Sequence, residues 1–227
     1  MAGSTVTTLL ANTRLHLQEA TAREWTDAQI ITYISRSYLR FAAYLSMLKG
    51  SDWFQTTEDV TLAADGTTVL LTAFTNDLAA IKHIMFKETS GFYVQCLPFQ
   101  EGDDFRLLYT TTLVVNSNTA PRYRLRQPDN IYFLPKSGAA RTINVTYRYR
   151  PTALTTGTDT VATPLEYDDA IEYRATILAL ADEGEKDPQF EGLLSERLAE
   201  IEEQETNTNA EAGTMTVKNV TTRHLFG

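Results

Sequence analysis

The residue types that carry most nucleophilic and metal chemistry are few in this sequence and lie far apart. The histidines are His16, His83 and His224, and the single cysteine is Cys96. No His-x-x-x-His or Cys-x-x-Cys spacing that could hold a metal ion is present. Cys96 stands in an apolar, strand-like stretch, which is typical of a small buried hydrophobic residue. The sequence therefore predicts no metal site, no cofactor and no catalytic cysteine.

Two pairs of adjacent carboxylates, Asp103-Asp104 and Asp168-Asp169, could in principle serve as a general acid and a general base. Each pair falls where a helix is expected to begin, and acidic side chains there interact favourably with the positive end of the helix dipole. The phosphate-binding pattern Gly-x-x-x-x-Gly-Lys and the nucleophile pattern Gly-x-Ser-x-Gly are both missing. We therefore expect a protein that is not an enzyme and has no catalytic residues.

Charge is sorted along the chain, and this sorting is more informative than any catalytic motif. Residues 164–205 hold fourteen acidic and three basic residues, whereas residues 122–150 hold seven basic residues and one acidic residue. The net charge of −9 argues against a protein that binds nucleic acid over most of its surface, because phosphates would be repelled. An acidic helical segment beside a basic β segment indicates copies or partners that meet face to face.

The arginines of the basic segment alternate with aromatic and apolar residues, as on a β-strand whose two faces differ. Arg122, Arg124 and Arg126 would share one face of a strand, and Arg148 and Arg150 one face of another. Three interpretations stay open: a solvated sheet face, an interface with an acidic protein surface, or a nucleic-acid site. The last is disfavoured because the interleaved aromatic rings would face the other way and could not stack on bases.

The acidic helices carry more charge of one sign than a solvated surface requires, and like charges one turn apart lower helix stability. We therefore hypothesise that acidic residues such as Glu191, Glu200 and Glu203 of one copy lie against the arginine rows of a neighbouring copy. An oligomer held in this way would be strongly salt dependent.

Hydrophobic periodicity divides the chain into helical ends and a β-rich middle, which predicts an α+β fold. Apolar residues at helical spacing predict two helices within 4–48, and Thr26 with Gln29 has the spacing of a capping box at the start of the second. Two further antiparallel helices are predicted within 164–205. Thr163 is the expected cap of the first of these, and Gly184 its expected end.

Between about 53 and 150 the period changes to two, and short strands separated by turns predict antiparallel pairing. Asp65-Gly66 is expected to join one hairpin and Ser90-Gly91 another, with a short helix or turn over 101–109. Beyond residue 205 the periodicity stops, so 206–227 is predicted to be an extended tail that needs a partner to order it. The expected organisation is one domain over 1–205 followed by this tail.

Several short sequence motifs, taken in their order along the chain, resemble those of a known protein family. It resembles the head-to-tail adaptor, or connector, proteins of tailed bacteriophages. Three motifs carry the resemblance. The first is Trp25-Thr26-Asp27 followed by Ile30 and Ile34, and the second is Tyr147-Arg148-Tyr149-Arg150-Pro151. The third is Pro164-Leu165-Glu166-Tyr167-Asp168-Asp169-Ala170, followed by Tyr173, Ala175 and Gly184.

This resemblance implies a helical bundle built from two N-terminal and two C-terminal helices, with the β-rich region as an insertion. It also implies a homo-oligomeric ring, commonly a dodecamer, in the virion neck between the portal protein and the tail or nozzle protein. DNA would only pass through its channel, and no membrane would be involved. The tail would reach the portal through its sparse apolar residues, which are Met215, Val217, Val220, Leu225 and Phe226. The single cysteine excludes an intrachain disulfide and suits assembly in the host cytoplasm.

Two alternatives remain at this point. The first is another structural part of the virion, a tail-completion or baseplate protein that would assemble on a tail and ignore the portal. The second is a β-sandwich module that binds a ligand such as a carbohydrate, for which Trp53, Tyr93 and Tyr132 would be candidate platforms.

Overall fold

The computed structural model divides the chain into two compact units, a helical unit of Met1–Trp53 and Pro151–Gly227 and a sheet unit of Phe54–Arg150. That residues 1–205 act as one adaptor domain stays a prediction. The residues that the structure describes are 3–19, 24–48, 52–64, 66–87, 92–99, 112–113, 121–126, 130–134, 136–137 and 139–224.

The described residues of the helical unit form four α-helices, two from each end of the chain, as the sequence predicts. They are α1 Val6–His16, α2 Asp27–Met47, α3 Asp168–Asp182 and α4 Pro188–His224, with a 3₁₀ turn at Leu165–Tyr167. Helix α3 contacts each of the other three. None of these helices is long and apolar enough, over the part of the chain that the structure describes, to cross a lipid bilayer.

Local signals set most of the helix ends. The Thr26 side chain accepts a hydrogen bond from the Gln29 backbone and the Gln29 side chain accepts one from the Thr26 backbone, so the predicted capping box is confirmed. Gly184 has a φ of +80°, and the Glu185 and Gly184 amides donate to the carbonyls of Leu180 and Ala181. This Schellman motif confirms the predicted end of α3.

The predicted cap at the start of α3 is wrong. Thr163 Oγ1 is buried and has no hydrogen-bond partner among the residues that the structure describes. The 3₁₀ turn at Leu165–Tyr167 intervenes, and the α-helix begins only at Asp168, without a side-chain cap. Thr163 is therefore too far along the chain to reach the first-turn amides of α3.

Among its described residues the sheet unit has nine strands, seven of which form one sheet in the order β1-β9-β3-β4-β6-β7-β2. Strands β5 and β8 form a separate parallel pair. The strands are β1 Gln55–Leu62, β2 Thr68–Leu70, β3 Leu78–Lys87, β4 Tyr93–Pro98, β5 Thr112–Leu113, β6 Arg122–Arg126, β7 Asn130–Leu134, β8 Lys136–Ser137 and β9 Arg141–Tyr149.

Pairing within the large sheet is antiparallel except between β4 and β6, which run parallel. The predicted hairpin between β3 and β4 is confirmed. The hairpin expected between β1 and β2 is wrong, because β1 pairs with β9 and β2 pairs with β7. A tight turn does occur there, since the Gly66 amide donates to the Ala63 carbonyl, but one turn bond does not oblige the flanking strands to pair. The helix expected over 101–109 lies outside the described residues.

The sheet unit has its own core on one side of the seven strands. The end strands of the order, β1 and β2, also contact one another, so the sheet curls around this side. Curling lets a single sheet bury its apolar face against itself. The buried core residues are Val60, Leu62, Val69, Phe74, Leu78, Ile84, Phe86, Cys96, Ile131, Phe133, Ile143, Val145 and Tyr147.

The extended conformation predicted for the tail from residue 206 is wrong as far as His224, because α4 continues to that residue. The Thr- and Asn-rich sequence carries no apolar stripe, and so it gave no periodic signal for a helix. Extending an existing helix costs far less than nucleating a new one, which explains how such a sequence continues α4. Leu225 and Phe226 lie outside the described residues.

Candidate subunit and partner interfaces

Arg122 and Arg124 of β6 lie on the face of the sheet opposite its core. Tyr123 and Leu125 pack against the core, whereas Arg122 is half-buried and Arg124 exposed, so the predicted alternation is present. The side chain of Arg126 lies outside the described part of the structure. The β6 face therefore exposes Arg124 to solvent, whereas Arg122 beside it is half-buried.

The second arginine row is shorter than the sequence suggested. Arg148 is half-buried on the face of β9 opposite the fully buried Tyr147. Arg150 follows the end of β9, and its guanidinium lies 3.5 Å from the Asp77 carboxylate. Three strand spacings separate β9 from β6, about 14 Å in all. The arginines thus form two separate positions on the sheet.

The predicted acidic residues Glu191, Glu200 and Glu203 are all exposed on α4. Glu200 accepts a 2.6 Å hydrogen bond from Arg197. At 100° per residue, Glu191 lies on the opposite side of the helix from Glu200. One flat partner surface could therefore engage Glu200 and Glu203 together, but not all three. Met215, Val217 and Val220 belong to α4, but their side chains lie outside the described part of the structure.

Two of the residues considered for chemistry are buried for structural reasons. Burial raises the pKa of the Cys96 thiol above its ordinary value, so the thiol stays protonated within the sheet core. Burial also raises the pKa of Asp168, opposed by a hydrogen bond from Ser4 and reinforced by the neighbouring charge of Asp169. The pair Asp168-Asp169 does begin a helix, as expected. Asp103-Asp104 lies outside the described residues.

The aromatic residues considered as ligand platforms do not form a common surface within one unit. Trp53 belongs to the helical unit, where its Nε1–H donates to Glu205 at 2.8 Å and its ring lies 6.1 Å from that of Tyr167. Tyr93 and Tyr132 belong to the sheet unit, and Tyr93 is the more exposed of the two. Trp53 is therefore a structural residue of the helical unit.

A groove of about 440 Å³, here called the basic groove, runs between α2, α3 and α4. Its floor is apolar and includes Leu194 and Leu198, and its rim includes Met47, which is 81% exposed. Arg40 from α2 and Arg174 from α3 also line it. Sequence reasoning missed this site because the two arginines come from opposite ends of the chain. The only signal was that Arg174 is one of three bases in an acidic segment.

A second groove of about 260 Å³, here called the acidic groove, lies between α3 and α4. Asp169, Glu196 and Glu200 line it together with the ring of Tyr173. Arg197 lines it too, but its guanidinium is already bound by Glu200 and by the backbone carbonyl of Glu166.

Both grooves lie within the helical unit and combine apolar side chains with charged ones, a composition that is common where proteins contact other chains. No cluster of potential metal ligands occurs among the residues whose placement is described. The sequence model of the family described as "SU10 adaptor protein" matches residues 4–218, so the chain belongs to that family. The resemblance to the head-to-tail adaptor proteins of tailed bacteriophages is thereby confirmed.

The chain was also compared with curated proteins and with solved structures. No curated protein is similar to this chain by sequence. Among solved structures, a chain of "Neck of empty GTA particle computed with C6 symmetry" is similar at 15% identity and a TM-score of 0.26, covering 78% of this chain and 80% of that one.

Proposed function

We propose that this protein forms a homo-oligomeric ring, of twelve copies in the expected case, that joins the portal to the tail and extends the DNA channel. The observation that carries the proposal is the match of the adaptor family over residues 4–218. Charge sorting supports it, since a β-strand that exposes Arg124 and a helix that exposes Glu200 and Glu203 provide complementary surfaces on one chain. The role is one of shape and contact, without a catalytic step or cofactor.

The acidic balance of the chain suits a channel through which DNA slides. A net charge of −9 repels phosphates and so removes the electrostatic contacts that would retain DNA. The partners of the ring would be the portal protein on one side and a tail or nozzle protein on the other. Assembly would take place in the host cytoplasm.

Electron microscopy of the purified protein mixed with portal rings tests this proposal. We expect closed rings seated on the portal, and their yield should fall as salt is raised because the contacts between charged surfaces are screened. Arg124→Glu should lower the yield, whereas Arg36→Glu, at another exposed position but in the helical unit, is the matched charge control. Assembly on isolated tails with no binding to portals would favour a tail-completion or baseplate protein. Monomers that bind neither would contradict the proposal.

A further inference from the structure

The two arginines of the basic groove carry charge that the described parts of the chain do not neutralise. Neither Arg40 nor Arg174 makes a hydrogen bond or ion pair with any residue of the described ranges. Burial lowers the pKa of Arg174 from its ordinary value, and the neighbouring charge of Arg40 lowers it further. Two positive guanidinium groups close together above an apolar floor repel each other, so their free energy falls when an anionic group binds beside them.

The groove also exposes apolar surface. Met47 is 81% exposed at the rim, and the half-buried Leu194 and Leu198 form part of the floor. An occupant that satisfies the whole groove must therefore offer an apolar patch together with carboxylates. A small inorganic anion would meet the arginines and leave the apolar floor in water.

The acidic groove of the same chain has this chemistry. Asp169 and Glu196 are exposed, and Leu193 and the ring of Tyr173 are half-buried between them. The Asp169 charge acts on the lining of this groove, since after burial it is the next cause that raises the pKa of Tyr173. The acidic groove thus offers carboxylates around an apolar strip.

The two grooves flank the contact between α3 and α4 on its two sides. On α3 the basic groove is lined by Ala170 and Arg174, and the acidic groove by the residues one position earlier, Asp169 and Tyr173. On α4 the same offset separates Leu194 from Leu193. One position is a rotation of about 100° about a helix axis, so the complementary surfaces face different directions on one copy.

We propose that the basic groove of one copy binds the acidic side of the α3–α4 pair of a second copy, with Arg40 and Arg174 facing Asp169 and Glu196. Because the two surfaces differ, the contact is head-to-tail, and repeated head-to-tail contacts close into a ring when their rotation allows. This inference rests on the proposed ring and assigns one of its subunit contacts to the helical unit.

Charge reversal at exposed positions tests the contact without disturbing the core. Arg40→Glu and Glu196→Arg should each raise the dissociation constant for self-association at least about tenfold, measured by sedimentation velocity. Arg36→Glu on α2 and Glu185→Arg after α3 make the same charge changes at exposed positions outside both grooves, and should leave the constant near that of the wild type. Circular dichroism checks that every variant keeps its helices.

A mixture of the two variants gives the sharpest result. In an equimolar mixture each altered surface meets an altered partner of opposite charge, so alternating assemblies should form where neither variant assembles alone. Arg40→Glu and Glu196→Arg proteins that assemble as well as their controls would overturn the inference, as would a mixture no better than its components. A wild-type chain that stays monomeric with and without portal rings would instead overturn the proposed ring itself.

Discussion

Glu205 illustrates how one residue of the acidic run serves the fold. Its carboxylate accepts hydrogen bonds of 2.8 Å from both Trp53 Nε1 and the Tyr167 hydroxyl. Burial, and then the hydrogen bond to Glu205, raises the pKa of Tyr167 above its ordinary value. The Tyr167 ring also meets Phe41 edge-on at 6.1 Å. Glu205 therefore ties α4 to the start of α3, while its charged neighbours remain exposed.

We expect Glu205→Ala to lower the free energy of unfolding by about 2 kcal/mol, because two donors lose their shared acceptor. Glu203→Ala removes the same charge two residues away at an exposed position and should change stability by less than about 0.5 kcal/mol. Urea unfolding followed by circular dichroism measures both. Equal effects of the two substitutions would mean that total charge, not the hydrogen bonds of Glu205, matters.

The hydrogen-bonded pair Glu58–Tyr147 makes the stability of the sheet core depend on pH. The Tyr147 hydroxyl donates to Glu58 at 2.5 Å, and burial followed by this bond raises the pKa of Tyr147 to about 12. Partial burial tends to raise the pKa of Glu58, but hydrogen bonds from Tyr147 and Thr75 outweigh it and hold that pKa below its ordinary value of 4.5. Stability from Glu58 is thus present above that value and lost as pH falls through the lower folded-state pKa.

Tyr147→Phe should cost about 1–2 kcal/mol at neutral pH, because Glu58 loses a donor. The cost should shrink in acid, where Glu58 is protonated in both proteins and the bond to its carboxylate no longer distinguishes them. Urea unfolding of the two proteins at neutral pH and at a pH well below 4.5, the ordinary pKa of Glu58, gives the comparison. A cost that stays constant over this range would contradict the role assigned to Glu58.

At the scale of elements, α3 is the organising helix of the helical unit, because it contacts α1, α2 and α4. Small residues let the neighbouring helices pack close to α3, and Ala175 and Ala179 of α3 are both completely buried. A helix in contact on several sides cannot carry large side chains at every buried position without pushing its neighbours apart.

Ala175→Leu should therefore destabilise the protein by about 1–3 kcal/mol through overpacking. Ala181→Leu adds the same side chain near the exposed end of α3 and should be close to neutral. Thermal unfolding of the two variants separates the effects. A neutral Ala175→Leu would show that the helices around α3 can move apart without cost.

At the scale of the whole molecule, α4 extends well beyond its last anchored residues. Ile201 is completely buried and Glu205 is anchored, and beyond them the helix continues to His224, over about 28 Å of further length. A helix of that length without an apolar stripe gains little by itself in water. We expect this distal part to serve contact with a partner more than folding.

Deletion of residues 206–227 should leave the melting temperature nearly unchanged and weaken docking to portal rings, measured by electron microscopy and co-sedimentation. Serine at Met215, Val217 and Val220 keeps the full length and should reproduce the loss if the sparse apolar residues make the contact. Docking that survives the deletion would remove the tail from the interface.

Much of the local structure could be read from the sequence, because its causes are local. The capping box of Thr26 and Gln29 and the stop at Gly184 depend on residues within one turn, and both are confirmed. The alternation of Arg124 with Tyr123 and Leu125 follows from the period of a strand and is also present. Because short motifs are local features of a sequence, the order of such motifs along the chain was enough to recognise the adaptor family.

Tertiary structure alone decided which elements meet. Local sequence favoured pairing β1 with β2, but β1 pairs with β9, and β4 pairs in parallel with β6, because partners are chosen by burial of the whole sheet face. Arg40 and Arg174 come together only when helices from both ends of the chain pack against each other. The sequence by itself thus determined the elements and the family, whereas the fold decided where their charges and apolar surfaces lie, because those positions depend on contacts between distant segments.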